Sequence, residues 1–136
     1  MTTVADADAA VERLWPLAGA EPWDAPGLLS GDPGAPVTRI LLAVDAVAET
    51  VDEAIEVGAE LLLVHHPLLM RGITTIAEST AKGALLARLI RGGCALLAAH
   101  TNADIVMTGT SARLASLLGL QDARPNVETA PGLGLG

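Results

Sequence analysis

Three runs of apolar residues, at 38–44, 60–64 and 94–99, predict buried β-strands. Each run is nearly continuous in Leu, Ile, Val and Ala, which is typical of strands that are covered on both faces. A segment with apolar positions three and four residues apart follows each run and predicts a helix. Strands that alternate with helices favour a parallel sheet with right-handed crossovers. The predicted fold class is therefore α/β, with a mostly parallel sheet flanked by helices.

The bounds of the helices follow from the same spacing and from capping residues. The predicted helices span 4–18, Thr50 (or Glu49) to Val57, the N-cap Ser79 to Gly92–Gly93, and about 109–118. Residues 19–36 hold so many prolines and glycines that no regular element is predicted there. Residues 121–136 are also rich in glycine and contain two prolines. The sequence thus predicts one α/β domain at 1–120 and a Pro/Gly-rich tail at 121–136.

Length and charge narrow the classes of partner. The chain has 136 residues, which is typical of one domain, and a net charge of −8. An acidic chain without a basic stripe disfavours nucleic acid as a partner, whereas it does not disfavour metal cations. No apolar run approaches the roughly 20 residues that a membrane span needs. We therefore expect no nucleic-acid and no membrane partner.

The single cysteine indicates a reducing compartment. Cys94 cannot form an internal disulfide, and its place at the start of a buried strand predicts a small core residue. The first residues have neither the basic nor the apolar segment of a secretory signal. The sequence accordingly predicts a cytoplasmic protein.

All three histidines lie where a predicted strand ends. His65 and His66 follow the second run, and His100 follows the third, with Asp104 four residues later. Open α/β sheets bind ligands at the carboxyl ends of their strands. Adjacent residues of an extended segment point to opposite faces, so His65 and His66 would offer imidazoles to different metal ions. Imidazole with carboxylate suits zinc, iron, manganese or nickel better than calcium.

An ordinary structural interpretation of the same residues stays open. A single histidine at a strand end is more often a hydrogen-bonding residue than a ligand. Asp104 alone could equally cap the helix that follows it. The metal-site interpretation depends on the four residues taken together.

Three motifs in register give the sequence a resemblance to a known family. The motifs are Trp23-Asp24-x-x-Gly27-Leu28-x-x-Gly31-Asp32-Pro33, Leu63-Val64-His65-His66-Pro67-Leu68-Leu69 and Ala99-His100-Thr101-Asn102-Ala103-Asp104. Together they resemble the NIF-three-like family, whose members are often called GTP cyclohydrolase I type-two homologs. Their order and spacing match across almost all of 23–120. The resemblance implies that this chain is the N-terminal part of the family fold.

The resemblance also implies a cofactor and roles for individual residues. It implies two divalent metal ions (Zn, Mn, Fe or Ni) in a protein that assembles into a ring-like homo-oligomer. By position, His65, His66 and Asp104 correspond to metal ligands, and His100 lies near the metals as the candidate catalytic acid or base. The family takes a further His and Glu from a C-terminal part, and residues 121–136 correspond to the start of that part. The metal site is therefore expected to be incomplete in this chain.

Two functions from different classes follow from these residues together with the resemblance. The first is a dinuclear metal-dependent hydrolase acting on a small molecule, in which GTP is suggested by the family label alone. The alternative is a non-catalytic, oligomeric module that binds metal and interacts with partners. A nucleotide-binding domain without metal fits worst, because no glycine-rich phosphate loop follows a strand.

Overall fold

The central element is a four-stranded sheet made of β1 (Gly27–Ser30), β2 (Ile40–Asp45), β3 (Leu61–His66) and β4 (Ala95–Ala98). The structure is a computed structural model, and it describes residues 1–130 and 133–135. β2, β3 and β4 run parallel, and β1 pairs antiparallel with β4. The order of the strands across the sheet is β1-β4-β3-β2. The parallel part of the sheet confirms the α/β class and the three predicted strands.

Helices lie between these strands and on both sides of the sheet. They are α1 (Val4–Leu14), α2 (Ala48–Glu56), α3 (Ala81–Arg91), α4 (Thr101–Asp104) and α5 (Thr110–Leu117), with a 3₁₀ turn at Leu17–Gly19. In the described part of the chain, no helix has both the length and the apolar character needed to cross a membrane.

Capping residues shift three helix ends from their predicted positions. α1 ends at Leu14, ahead of the predicted residue 18, because Pro16 lacks the amide that would continue the helix. α2 begins at Ala48, since the Val47 amide donates to Oγ1 of Thr50. The N-cap of α3 is Thr80 and not Ser79, because Oγ1 of Thr80 accepts from the Gly83 amide at 3.1 Å.

Strand β1 corrects the prediction that 19–36 holds no regular element. Its four residues are too few to show an alternation of apolar and polar positions. Glycines at both ends allow it to approach β4: Gly27 and Gly31 have φ of +107° and +118°. A Cβ atom on Gly31 would lie 2.5 Å from Cβ of Ala95. In the sequence the glycines argue against a strand, but they are the residues that allow β1 to pair closely with β4.

The segment predicted as a tail contains a hairpin. Strands β5 (Val127–Ala130) and β6 (Leu133–Leu135) pair antiparallel, with Glu128 opposite Gly134. Pro131, Gly132 and Gly136 of that segment lie outside the described residues.

Two aliphatic clusters hold the layers together. One packs α2 and α3 on the sheet and includes Val51, Leu89 and Leu96. The other packs α1 on the opposite face of β3 and β4, through Val4, Leu61 and Leu97 among others. β4 is buried along its whole length, as a strand covered on both faces should be.

Strand β2 is less covered than its apolar sequence predicted. Its side chains Ile40, Leu42 and Val44 are 46%, 70% and 59% exposed. β2 is an edge strand, and the second cluster covers β3 and β4 but not these three side chains. An uncovered apolar row, defined by Ile40, Leu42 and Val44, therefore lies on one face of the sheet.

Candidate metal centre

The parallel pairing of β3 with β4 brings the three histidines to one edge of the sheet. His65 and His66 end β3, and His100 follows β4 by two residues. Val64 pairs with Ala98, so the carboxyl ends of the two strands lie side by side. The ring centroids are 4.9 to 5.5 Å apart, and one ligand atom from each ring lies within 4.8 Å of the others. We call these three residues the histidine cluster.

Each imidazole of the histidine cluster is hydrogen-bonded through Nδ1 to an oxygen that only accepts. Such an acceptor favours the tautomer with its proton on Nδ1, which leaves the lone pair of Nε2 free for a ligand or a proton. Metal-bound histidines in proteins are usually held in this way. The acceptors are the Ala99 carbonyl oxygen for His65 (3.0 Å), Asp45 Oδ1 for His66 (2.8 Å) and Asp24 Oδ1 for His100 (2.9 Å).

Asp104 lies beside the histidine cluster as the last residue of α4. Its Oδ2 is 3.7 Å from Nε2 of His65, which is too long for a hydrogen bond. Two ligands about 2.1 Å from one tetrahedral zinc ion are about 3.4 Å apart, so this separation fits a shared cation. Its other oxygen, Oδ1, accepts from the hydroxyl of Thr110 at the start of α5. Asp104 is thus held by α5 and does not cap it.

The sequence did not identify Asp24 as a site residue. Its carboxylate is fully buried and accepts from the Ala25 amide, the Thr101 amide and hydroxyl, and Nδ1 of His100. Burial raises the pKa of Asp24, but the hydrogen bonds from Thr101, His100 and Ala25 together lower it by more. The pKa of Asp24 is therefore below the ordinary value of an aspartate. Asp24 is therefore ionised at neutral pH. Its place in the first family motif was the one available signal.

Asp45 is the second acceptor that the sequence did not single out. It ends β2, pairs in register with His66, and is half exposed like its partner. The rule that drew attention to the histidines, namely a polar residue directly after an apolar run, also applies to Asp45.

Trp23 and Cys94 differ in their relation to the site. Trp23 is 56% exposed and meets His100 edge to face, with centroids 6.0 Å apart. Cys94 lies at the other end of β4, 2% exposed, and burial raises its pKa to about 11. Cys94 is a core residue, as predicted, and takes no part in the histidine cluster.

A cavity of about 650 Å³ lies beside α5 and is lined mainly by this helix and the segments that flank it, together with Gly134 of β6. Its walls include Asp104, Ile105, Leu114 and Leu118, but none of the three histidines lines it. The three histidines thus lie at the carboxyl edge of the sheet and outside the lining of this cavity.

The fold and the site define an α/β protein with a histidine cluster at the carboxyl edge of its parallel strands. The sequence model of the family described as Duf34/NIF3 (NGG1p interacting factor 3) matches residues 2–136. The chain belongs to this family, which confirms the resemblance seen in its motifs.

Relatives of known sequence and structure agree with this assignment. A protein of Streptomyces coelicolor named "GTP cyclohydrolase 1 type 2 homolog" is 49% identical over 127 residues, 93% of this chain and 45% of its own length. A Mycobacterium leprae protein of the same name is 47% identical over 86% of this chain and 30% of its own length. The crystal structure of a Bacillus cereus protein related to NIF3 superposes with a TM-score of 0.89, at 33% identity, over 95% of this chain and 35% of that chain. The chain therefore spans less than half the length of these relatives.

Proposed function

We propose that this chain binds divalent transition-metal ions at the carboxyl edge of β3 and β4. The observation that carries the proposal is the common orientation of the histidine cluster: each Nδ1 is satisfied by an acceptor, and Nε2 is left free. Three ligand atoms within 4.8 Å of one another, with a carboxylate beside them, match the donor set of zinc, iron, manganese or nickel. The relatives' name, "GTP cyclohydrolase 1 type 2 homolog", supports hydrolytic activity at the level of the family and does not refer to a metal.

We assign the ligands as the family resemblance implies. His65, His66 and Asp104 hold the metal, and His100 takes up or returns a proton through Nε2 at the same edge. When bound, a pair of such ions supplies Lewis acidity to a hydrolytic reaction. Three protein ligands for two ions leave both under-coordinated, so binding by this chain alone is expected to be weak. The proposed activity is that of a metal-dependent hydrolase with an incomplete site.

Calorimetric titration with Zn²⁺ and with Mn²⁺ tests the metal site. We expect saturable binding by the wild-type chain and its loss when His65→Ala and His66→Ala are combined. Asp104→Asn should weaken binding, because the amide that replaces the carboxylate carries no charge. Asp52→Asn, which changes an exposed carboxylate on α2 that pairs with Arg88, is the matched control and should bind as the wild type does.

Two results would contradict parts of this proposal. Absence of saturable binding, or equal binding by the double variant, would exclude the site. Tight binding of two ions per chain would show that the site is complete without further ligands.

The uncovered apolar row of β2 supports a second candidate function, a non-catalytic oligomeric module. In that case a second copy of this chain would cover the row, and the histidine cluster would bind metal without turnover. The His65→Ala and His66→Ala double variant should then lose metal and keep its oligomeric state in sedimentation experiments. Loss of the oligomer in that variant would argue against this candidate.

A further inference from the structure

We propose that Asp24 is a positioning residue for His100, fixing both the tautomer and the orientation of its imidazole. The inference rests on the proposed function, in which Nε2 of His100 acts at the metal edge. It adds a residue from a distant loop, 76 positions earlier in the chain, to the machinery of the site. The buried carboxylate of Asp24 thus lies behind the imidazole of His100, and the imidazole lies between this carboxylate and the candidate metal site.

Burial distinguishes this pair from the neighbouring one. The side chain of Asp24 is fully buried and that of His100 is 15% exposed, whereas Asp45 and His66 are 55% and 50% exposed. A carboxylate away from water interacts more strongly with its partners, because the local dielectric is low. The Asp24 contact should therefore control its imidazole more firmly than the Asp45 contact does.

The two oxygens of Asp24 have different tasks. Among the described residues, Oδ2 accepts from Thr101 alone, through the amide at 3.0 Å and the hydroxyl, and so holds the loop to the start of α4. Oδ1 accepts from the Ala25 amide at 2.7 Å and from Nδ1 of His100 at 2.9 Å. The contacts with Thr101 and the contact with the imidazole are thus made by separate atoms, and the imidazole shares its oxygen with the Ala25 amide. A substitution can be chosen that changes the second while keeping the first.

Other contacts hold His100 in place around this bond. Its amide donates to Oδ1 of Asn102, and the side-chain amide of Asn102 donates to the Trp15 carbonyl. Trp23 packs edge to face against its ring. With the backbone and one side of the ring fixed, the proton on Nδ1 decides whether Nε2 is available as an acceptor.

Asp24→Asn is expected to reverse the tautomer of His100. Two donors, the amide and the hydroxyl of Thr101, meet one oxygen of the carboxylate, so the carbonyl oxygen of the new side chain is expected to face Thr101, and the adjacent Ala25 amide then loses its acceptor. The NH₂ group of the new side chain then faces His100, whose Nδ1 has to accept. The proton of the neutral ring moves to Nε2, which no longer offers a lone pair to the metal edge.

Nitrogen NMR of the metal-free protein measures this directly. Long-range ¹H–¹⁵N correlation spectra, recorded at a pH above which the ring signals no longer move, show which ring nitrogen carries the proton. We expect the Nδ1–H form for His100 in the wild type and the Nε2–H form in Asp24→Asn. A His100→Gln spectrum assigns the signals.

Two variants separate positioning from structure. Thr101→Val removes the hydroxyl that Asp24 also accepts from; it should lower stability and leave the His100 tautomer unchanged. Asp45→Asn should alter the signals of His66 and not those of His100, and it should lower zinc affinity about tenfold or more, as loss of a partner behind a ligand does.

Two outcomes bear on different claims. An unchanged His100 tautomer in a folded Asp24→Asn protein overturns the inference, whatever the metal affinity. Failure of the wild type to bind Zn²⁺ in the same samples overturns the proposed function, while the tautomer comparison still decides the role of Asp24.

Discussion

At the scale of single residues, the histidine cluster is organised before any ion arrives. Each ring is held through Nδ1, so binding at Nε2 requires little further loss of side-chain freedom. In the described part of the chain, every buried side-chain nitrogen and oxygen has a hydrogen-bond partner. The cluster is therefore preorganised by the hydrogen bonds at Nδ1 of its three rings.

Cys94 should be chemically silent in the folded protein. It is buried, and burial raises its pKa to about 11, so the reactive thiolate is scarce near neutral pH. Iodoacetamide at about pH 8 should label it slowly in buffer and quickly in urea, as followed by mass spectrometry. Rapid labelling in buffer would show that the start of β4 opens readily.

The residues of the site were predictable to different degrees. His65, His66 and His100 follow apolar runs, and the order of strands brings such positions together. Asp24 comes from a loop whose path across α4 leaves no periodic signal in the sequence. The contact that fixes His100 therefore becomes visible only in three dimensions.

At the scale of elements, the apolar runs predicted where the parallel strands lie, but not how far each strand is covered by other elements. The parallel strands β2, β3 and β4 were found because long runs of Leu, Val and Ala have few other uses in a short chain. The same kind of run does not reveal whether a strand is central or at an edge, so the exposure of β2 was not predicted. β1 was missed because its glycines serve a close approach between strands.

Gly31→Ala should destabilise the fold by about 1–3 kcal/mol, the cost of holding a non-glycine residue in an unfavourable conformation. Gly31 has φ +118°, and an added Cβ would lie 2.5 Å from Cβ of Ala95. Urea unfolding followed by circular dichroism measures the change. Gly72→Ala is the matched control, since nothing lies within 4 Å of its added Cβ. Equal stability of the two variants would contradict the close approach of β1 to β4.

Glu60 should make the free energy of unfolding depend on pH in the acid range. Hydrogen bonds from the Arg39 amide and from the amide and hydroxyl of Thr38 lower its pKa to about 2, from 4.5. The folded state binds this proton less readily than the unfolded state, so the contribution is complete above about pH 4.5 and is lost as the pH falls towards 2. Glu60→Gln should flatten the fall in the free energy of unfolding over that range. Glu56→Gln, an exposed change on α2, should leave the fall as in the wild type.

At the scale of the whole molecule, the two faces of the sheet are covered unequally. α2 and α3 pack on one face, while α1 covers β3 and β4 on the other and leaves the apolar row of β2 in solvent. An exposed apolar edge strand favours pairing with other chains. The net charge of −8 opposes close approach of like chains but is screened by salt.

If a second copy of this chain covers the row of β2, as the second candidate function proposes, Leu42→Lys should reduce self-association. The side chain of Leu42 is 70% exposed at the middle of the row, so the substitution removes apolar surface without disturbing the core. Sedimentation velocity at rising salt concentration measures association. Ile90→Lys changes an exposed residue of α3 and is the control. If both variants associate as the wild type does, the row of β2 is not the contact surface.

The acceptor behind His65 is a main-chain carbonyl, while those behind His66 and His100 are side chains. Natural variation or directed evolution can therefore retune two of the three imidazoles by a single codon change at Asp45 or Asp24. No such change is available for His65, because every amino acid at position 99 supplies the same carbonyl. Selection for a different metal or ligand is thus expected to act first on the two aspartates, with His65 as the fixed point around which the site diversifies.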